Sequence, residues 1–377
     1  MDYNELALEL HKKNKGKITT ALRDKDELDR TKLSAYYSPG VGAVSRAIAE
    51  KPEDLPVYTW TNNLVAVISD GSAILGLGDL GAKAAMPVME GKALLFKHFA
   101  GIDSIPIVLD VHTPDEIVAT VKAIAPSFGA INLEDVAAPK CFEIEERLKA
   151  ELDIPVFHDD QHGTAVVTLA GLINAAKVTQ RNLQDSKIVM VGAGAAGTAI
   201  AKLLHLYGIK NILAIDSKGI ISDQRTDLNS EKQALMPYLN TTIDGTLEDA
   251  ISHADIFIGV SKPGLLTPEL VANMAPMPIV FALANPIPEI MPDIAKQSGV
   301  AVIATGRSDF PNQVNNALAF PGIFRGALDN GVQKITDQHK IAAAEALASL
   351  VDNPNADQII PSPFDERVVS TVASVIK

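Results

Sequence analysis

The sequence predicts an α/β protein made of two parallel-sheet units. Three observations predict it. Short apolar runs alternate with segments of helical length along most of the chain, the pattern of strand–helix–strand units. The chain has 377 residues, more than one typical domain holds. A glycine turn at 192–197 opens a fresh strand–helix–strand unit just past the middle.

Taken in order, residues 4–14 read as a short amphipathic helix. Tyr36 and Tyr37 precede a Ser38-Pro39-Gly40 turn, and a helix follows over 42–51. The two tyrosines are either packing residues with wet hydroxyls or site residues. The apolar run 64–69 is a buried strand ending at Asp70, Gly71 and Ser72. Gly71, Gly76, Gly78, Gly81 and Gly91 permit close backbone approaches. A helix over 83–99 carries Lys92 beside apolar residues. That lysine either snorkels to water or sits in a cleft as a base. A strand over 105–109 ends at Asp110. Thr113, Pro114 and Glu116 then form a capping box with proline in the first turn.

Residues 131–164 carry two acidic doublets, Glu134-Asp135 and Asp159-Asp160, each just after a short apolar run. A helix over 139–152 separates them. In a parallel βαβ unit both doublets lie at the same sheet edge, where ligands bind. They are either helix caps or ligands of a hard divalent ion, Mg²⁺ or Mn²⁺. His158 and His162 flank the second doublet. Gly163 and Thr164 place the next helix start near His162, so the histidines read as neighbours rather than a zinc pair.

The second half is Rossmann-like. A strand at 187–191 leads into Gly192-Ala193-Gly194-Ala195-Ala196-Gly197, then a helix, a strand at 211–215 and Asp216. This is a dinucleotide fingerprint in its proper context. Gly192 makes the turn, Gly194 admits the pyrophosphate and Gly197 packs the helix. The amides of Ala195 and Ala196 open the helix toward the phosphates. Asp216 is expected to accept from the ribose hydroxyls and to disfavour a 2′-phosphate. Lys218, close behind, is a possible counterweight, so NAD or dual use with NADP is the expectation. Further strands at 254–260, 279–283 and 300–304 complete a doubly wound parallel sheet. Asn285 and the pair Asn315-Asn316 either bind ligand or order their turns. The boundary between the N-terminal α/β domain (1–160) and the Rossmann-like domain (161–377) falls near the start of the apolar helix after Thr164.

The formal net charge of −13 and the lack of a basic stripe argue against a nucleic-acid partner. A single cysteine, Cys141, fits a reducing cytoplasm, and no membrane-spanning run appears.

Several motifs together resemble the malic enzyme family, in its short bacterial form: residues 37–42, 74–81, 133–135, 159–165 and 284–286, in the family's order. The resemblance implies oxidative decarboxylation of malate to pyruvate, with NAD or NADP and Mg²⁺ or Mn²⁺. It implies that Glu134, Asp135 and Asp160 hold the metal, with Asp159 beside it. It implies that Lys92 is the base and Tyr37 the acid beside it, and that Asn285 and Asn315 contact substrate or the nicotinamide side. Ala73 departs from the pattern: larger members carry an arginine there that grips malate, and here backbone amides or Ser72 are left to supply that grip. A homodimer or higher homo-oligomer is expected. Oxaloacetate decarboxylation, malolactic conversion and a non-catalytic NAD-responsive protein are the rivals.

Overall fold

The computed structural model describes residues 3–74 and 77–377, so Leu75 and Gly76 of the glycine loop lie outside the described residues. Two sheets carry the site. The first has the order β2-β1-β3-β4: β1 (Leu64–Ser69), β2 (Asp103–Val108), β3 (Ala130–Leu133) and β4 (Val156–His158), all parallel. The second has β5 (Ile188–Val191), β6 (Ile212–Asp216), β7 (Gly219–Ile220), β8 (Ile256–Gly259), β9 (Ile279–Ala282) and β10 (Val302–Thr305), ordered β10-β9-β8-β5-β6-β7. Only the two-residue β7, which the hydrophobic pattern is too short to announce, runs antiparallel.

β1 shows why the runs are continuously apolar. Leu64, Ala66 and Ile68 face one buried cluster, and Val65 and Val67 face another. Both faces are covered by helices, so alternation disappears. The second of these clusters continues through Phe96, Phe157, Phe320 and Phe324 into the other half of the chain.

Thr113 caps the helix Pro114–Ile124 with the reciprocal Glu116 bond, a device worth about 1 kcal/mol. One helix start differs from the sequence reading. The long helix runs Asp159–Thr179, so Asp159 and Asp160 occupy its first turn rather than a preceding loop. Gly163 sits inside it for a steric reason: a Cβ there would lie 1.8 Å from Asp159 Oδ1. The glycine that looked like a helix start is the space for a folded-back carboxylate. This helix packs on the helices Ala195–Leu206 and Asp337–Ser349 of the second half.

The N-terminal helices Tyr3–Asn14, Arg30–Tyr36 and Val41–Glu50 bury no residue, and Leu8, Leu22, Leu28 and Leu33 are exposed. Among the described residues, no helix is long and apolar enough to cross a membrane.

Candidate active site

Parallel register puts both acidic doublets on one edge. Leu133 pairs with His158, so Glu134-Asp135 and Asp159-Asp160 leave adjacent strands side by side. The Asp135 amide donates to Asp160 Oδ2 at 2.8 Å and ties the doublets together. Asp135 sits at φ 52° to make this turn. Ligand oxygens of Glu134, Asp135 and Asp160 lie within 4.8 Å of one another. Neither histidine joins this cluster.

Lys92 comes up beneath them from the helix Ala82–Ala100. Its Nζ lies 2.9 Å from Glu134 Oε1 and 2.5 Å from Asp159 Oδ2, and it donates to Asn316 Oδ1 at 3.2 Å. It also stands 4.7 Å from the centre of the Phe320 ring. Lys92 is 8% exposed and Asp159 fully buried, so it does not snorkel. Burial alone would lower the lysine's pKa, but Asp159, Glu134 and Asp160 outweigh it and raise it above its ordinary value. Burial pushes the Glu134 carboxyl well up, and Asp160 adds to this. Three acids thus act on one ammonium. Oxygen donors in this number and charge, within 4.8 Å of one another, fit a divalent cation of the Mg²⁺ or Mn²⁺ kind.

Other expected groups are placed differently. Tyr37 is 70% exposed, and the partners of Lys92 among the described residues are Asp159, Glu134, Asn316 and Phe320 rather than the Tyr37 hydroxyl. The Ser72 hydroxyl donates to Asp70 Oδ1 and accepts from the Ala137 amide. With its one proton committed, it has none to offer a substrate carboxylate, against the expectation that it replaces the arginine. Asn315 caps its own turn by accepting from the Ala317 amide. Its neighbour Asn316 is the one that meets Lys92.

At the second sheet, Gly192 has φ 110°, and a Cβ there would lie 2.7 Å from the Val260 carbonyl. A Cβ on Gly197 would lie 1.9 Å from the Gly192 carbonyl, while Gly194 faces open space. No side chain caps the helix Ala195–Leu206, so the amides of Ala195, Ala196 and Gly197 are open to phosphate oxygens. Asp216 is not open. Its Oδ1 accepts from Arg225 Nη1 at 2.7 Å and from the Lys218 amide at 2.8 Å, and its Oδ2 lies 2.5 Å from Lys232 Nζ. Despite some burial, these bonds pull its pKa down to about 2. An acid with both oxygens engaged is a weak acceptor for ribose and a weak repeller of a 2′-phosphate, which corrects the sequence expectation. Lys218 Nζ itself pairs with Asp227 at 2.6 Å. Asn285 is exposed at the end of β9, free to meet a ligand.

Known families match this arrangement across nearly its whole length. The profile described as "Malic enzyme, N-terminal domain" matches residues 11–149, and "Malic enzyme, NAD binding domain" matches residues 161–376. The chain belongs to the malic enzyme family. A bifunctional malic/malolactic enzyme of Bacillus subtilis is 54% identical over 100% of this chain and 92% of its own. An NADP-dependent malic enzyme of Halomonas elongata is 48% identical over 99% of this chain and 92% of its own. The crystal structure of the NAD-dependent malic enzyme of Thermotoga maritima superposes with a TM-score of 0.95 at 50% identity, covering 98% of each chain.

Within this malic enzyme fold two buried acids escaped the sequence reading. Glu145, in the helix Lys140–Glu151, accepts from the His158 amide at 3.0 Å and from His162 Nε2 at 2.8 Å, and pairs with Lys149 at 2.5 Å. It pins the segment that bears Asp159 and Asp160. Glu289 joins two loops of the second sheet. Neither has a local signature: Glu145 is one of several charges on a helix, and Glu289 follows Pro286 and Pro288 in what reads as a plain turn.

Proposed function

We propose that this chain catalyses the oxidative decarboxylation of malate to pyruvate and CO₂ with reduction of NAD or NADP. The observation that carries it is the Lys92–Asp159 pair set against Glu134, Asp135 and Asp160, on a chain that also bears an open glycine turn. In this reading Glu134, Asp135 and Asp160 hold a divalent ion, and residues 1–160 and 161–377 form the two domains. A bound divalent ion would supply polarisation of the substrate hydroxyl and stabilisation of negative charge on oxygen, and a bound nicotinamide would supply a hydride acceptor. Lys92, held as an ammonium by its carboxylate neighbours, would pass its own proton to Asp159, 2.5 Å away, and take the hydroxyl proton in its place. Tyr37 protonates C3 of the three-carbon product. Asn285 orients the substrate or the nicotinamide amide.

Malate with Mn²⁺ and NAD or NADP tests the reading, with reduced cofactor, pyruvate, lactate and CO₂ followed together. Reduced cofactor equal to pyruvate is the expected result. Lactate without reduced cofactor would point to malolactic conversion, for which the name of the Bacillus relative gives a reason to look. CO₂ from oxaloacetate alone would leave only a decarboxylase.

The exposed Tyr37 and the unburied N-terminal helices support a homodimer in which each copy lends Tyr37 to the other's site. A mixture of Tyr37→Phe and Lys92→Ala chains checks this. If the site is shared, random reassociation rebuilds about a quarter of the sites. If it is not, both parents and the mixture stay inactive.

The engaged Asp216 supports dual cofactor use. Lys232→Glu places a negative charge where a 2′-phosphate approaches, so kcat/KM with NADP falls at least about tenfold more than with NAD. Equal losses with both cofactors count against this placement of the ribose.

A further inference from the structure

Glu289 is fully buried, yet no cation pairs with it among the described residues. Its carboxylate instead divides between two loops. One oxygen accepts from the Ser261 amide at 3.0 Å, just after β8, and the other accepts from the Ala284 amide at 3.1 Å, just after β9. Its own carbonyl accepts from the Leu266 amide, and the Pro288 carbonyl accepts from the Gly264 amide. Space for the carboxylate comes from Gly259, the last residue of β8, where a Cβ would lie 2.3 Å from Glu289 Cδ.

The bridge sits at the carboxyl edge of the dinucleotide sheet, where ligands bind in such folds. It is continuous with the parts already described. The Gly192 turn rests on the Val260 carbonyl, Ser261 is the next residue, and Ala284 is the residue before Asn285.

We propose that Glu289 is a positioning residue for the nicotinamide half of the dinucleotide: one oxygen per loop, it sets the spacing between the phosphate-binding turn and Asn285. This rests on the dinucleotide reading above. The chemistry demands a carboxylate rather than any side chain of that size. Two N–H donors arrive, one on each oxygen, and a buried donor left without an acceptor is costly. Glutamine keeps the volume but turns an NH₂ group toward one of the two amides, so one loop loses its anchor. A residue that only fills space would not distinguish the two.

The test compares wild-type, Glu289→Gln and Gly259→Ala as full chains. NADH and NADPH binding is titrated by fluorescence without malate, KM for the dinucleotide and kcat are measured at saturating Mn²⁺, and Mn²⁺ affinity and thermal midpoint are recorded. Glu289→Gln is expected to raise the dinucleotide Kd and KM on the order of tenfold and to leave Mn²⁺ affinity within about twofold. Gly259→Ala, which pushes on the same carboxylate, is expected to move them the same way. A folded Glu289→Gln chain with wild-type dinucleotide Kd and KM overturns the assignment. So does a variant in which Mn²⁺ affinity and dinucleotide affinity fall together, since that reports general loosening. Wild-type chain that binds neither NADH nor NADPH overturns the dinucleotide reading itself, a failure recognisable without any variant.

Discussion

Asp160→Asn is expected to lower kcat/KM for malate by at least about a thousandfold, close to 4 kcal/mol of lost transition-state stabilisation. The substitution is nearly isosteric, but it removes one negative charge from a three-carboxylate set whose oxygens lie within 4.8 Å. An amide oxygen is a poorer ligand for a hard divalent ion than a carboxylate oxygen. It also disturbs the bond from the Asp135 amide to Asp160 Oδ2, because the side chain must now choose which end faces that donor. Both effects act on metal affinity first. Mn²⁺ titrated by calorimetry or electron paramagnetic resonance should therefore show weaker binding, and excess Mn²⁺ should recover part of the rate. Malate oxidation near wild-type at saturating Mn²⁺ would sink the assignment of Asp160 as a ligand.

That cluster was legible in the sequence because its signals are local. An acidic pair directly after an apolar run is a strand ending in carboxylates, and parallel pairing does the rest: Leu133 opposite His158 brings the doublets together. The glycine turn was legible for the same reason. What escaped depends on partners far along the chain. Asp216 carries the right residue at the right distance, but its availability is decided by Arg225 and Lys232, nine and sixteen residues on. Ser72 is unavailable because its one proton goes to Asp70 Oδ1 while its oxygen accepts from the Ala137 amide, sixty-five residues away. The long helix begins earlier than the sequence suggests because Gly163 reads as a residue at a helix start, whereas in space it makes room for Asp159 inside the helix. Glu145 and Glu289 were invisible because a buried acid held by amides looks, in one dimension, like any surface acid.

Lys92→Met should separate base from ligand, which the Asp160 variant alone cannot do. Loss of a general base costs about 10²- to 10⁴-fold, so kcat for malate is expected to fall in that range. The metal response should run opposite to that of Asp160→Asn. Removing the one ammonium that faces Asp159 and Glu134 makes the cluster more negative, so Mn²⁺ should bind as well as before or more tightly. Without metal the variant pays for two carboxylates left without their cation, about 3 kcal/mol or more for breaking a buried pair. Its thermal midpoint should drop in the absence of Mn²⁺ and recover on addition. Oxaloacetate offers the sharper contrast. It already carries the ketone that malate must be oxidised to form, so its decarboxylation requires no proton to be taken from a hydroxyl. Lys92→Met should therefore keep oxaloacetate decarboxylation within about tenfold of wild-type while malate oxidation collapses. Parallel loss of both activities, or Mn²⁺ affinity falling as it does for Asp160→Asn, would mean that Lys92 holds the acids in place rather than taking the proton.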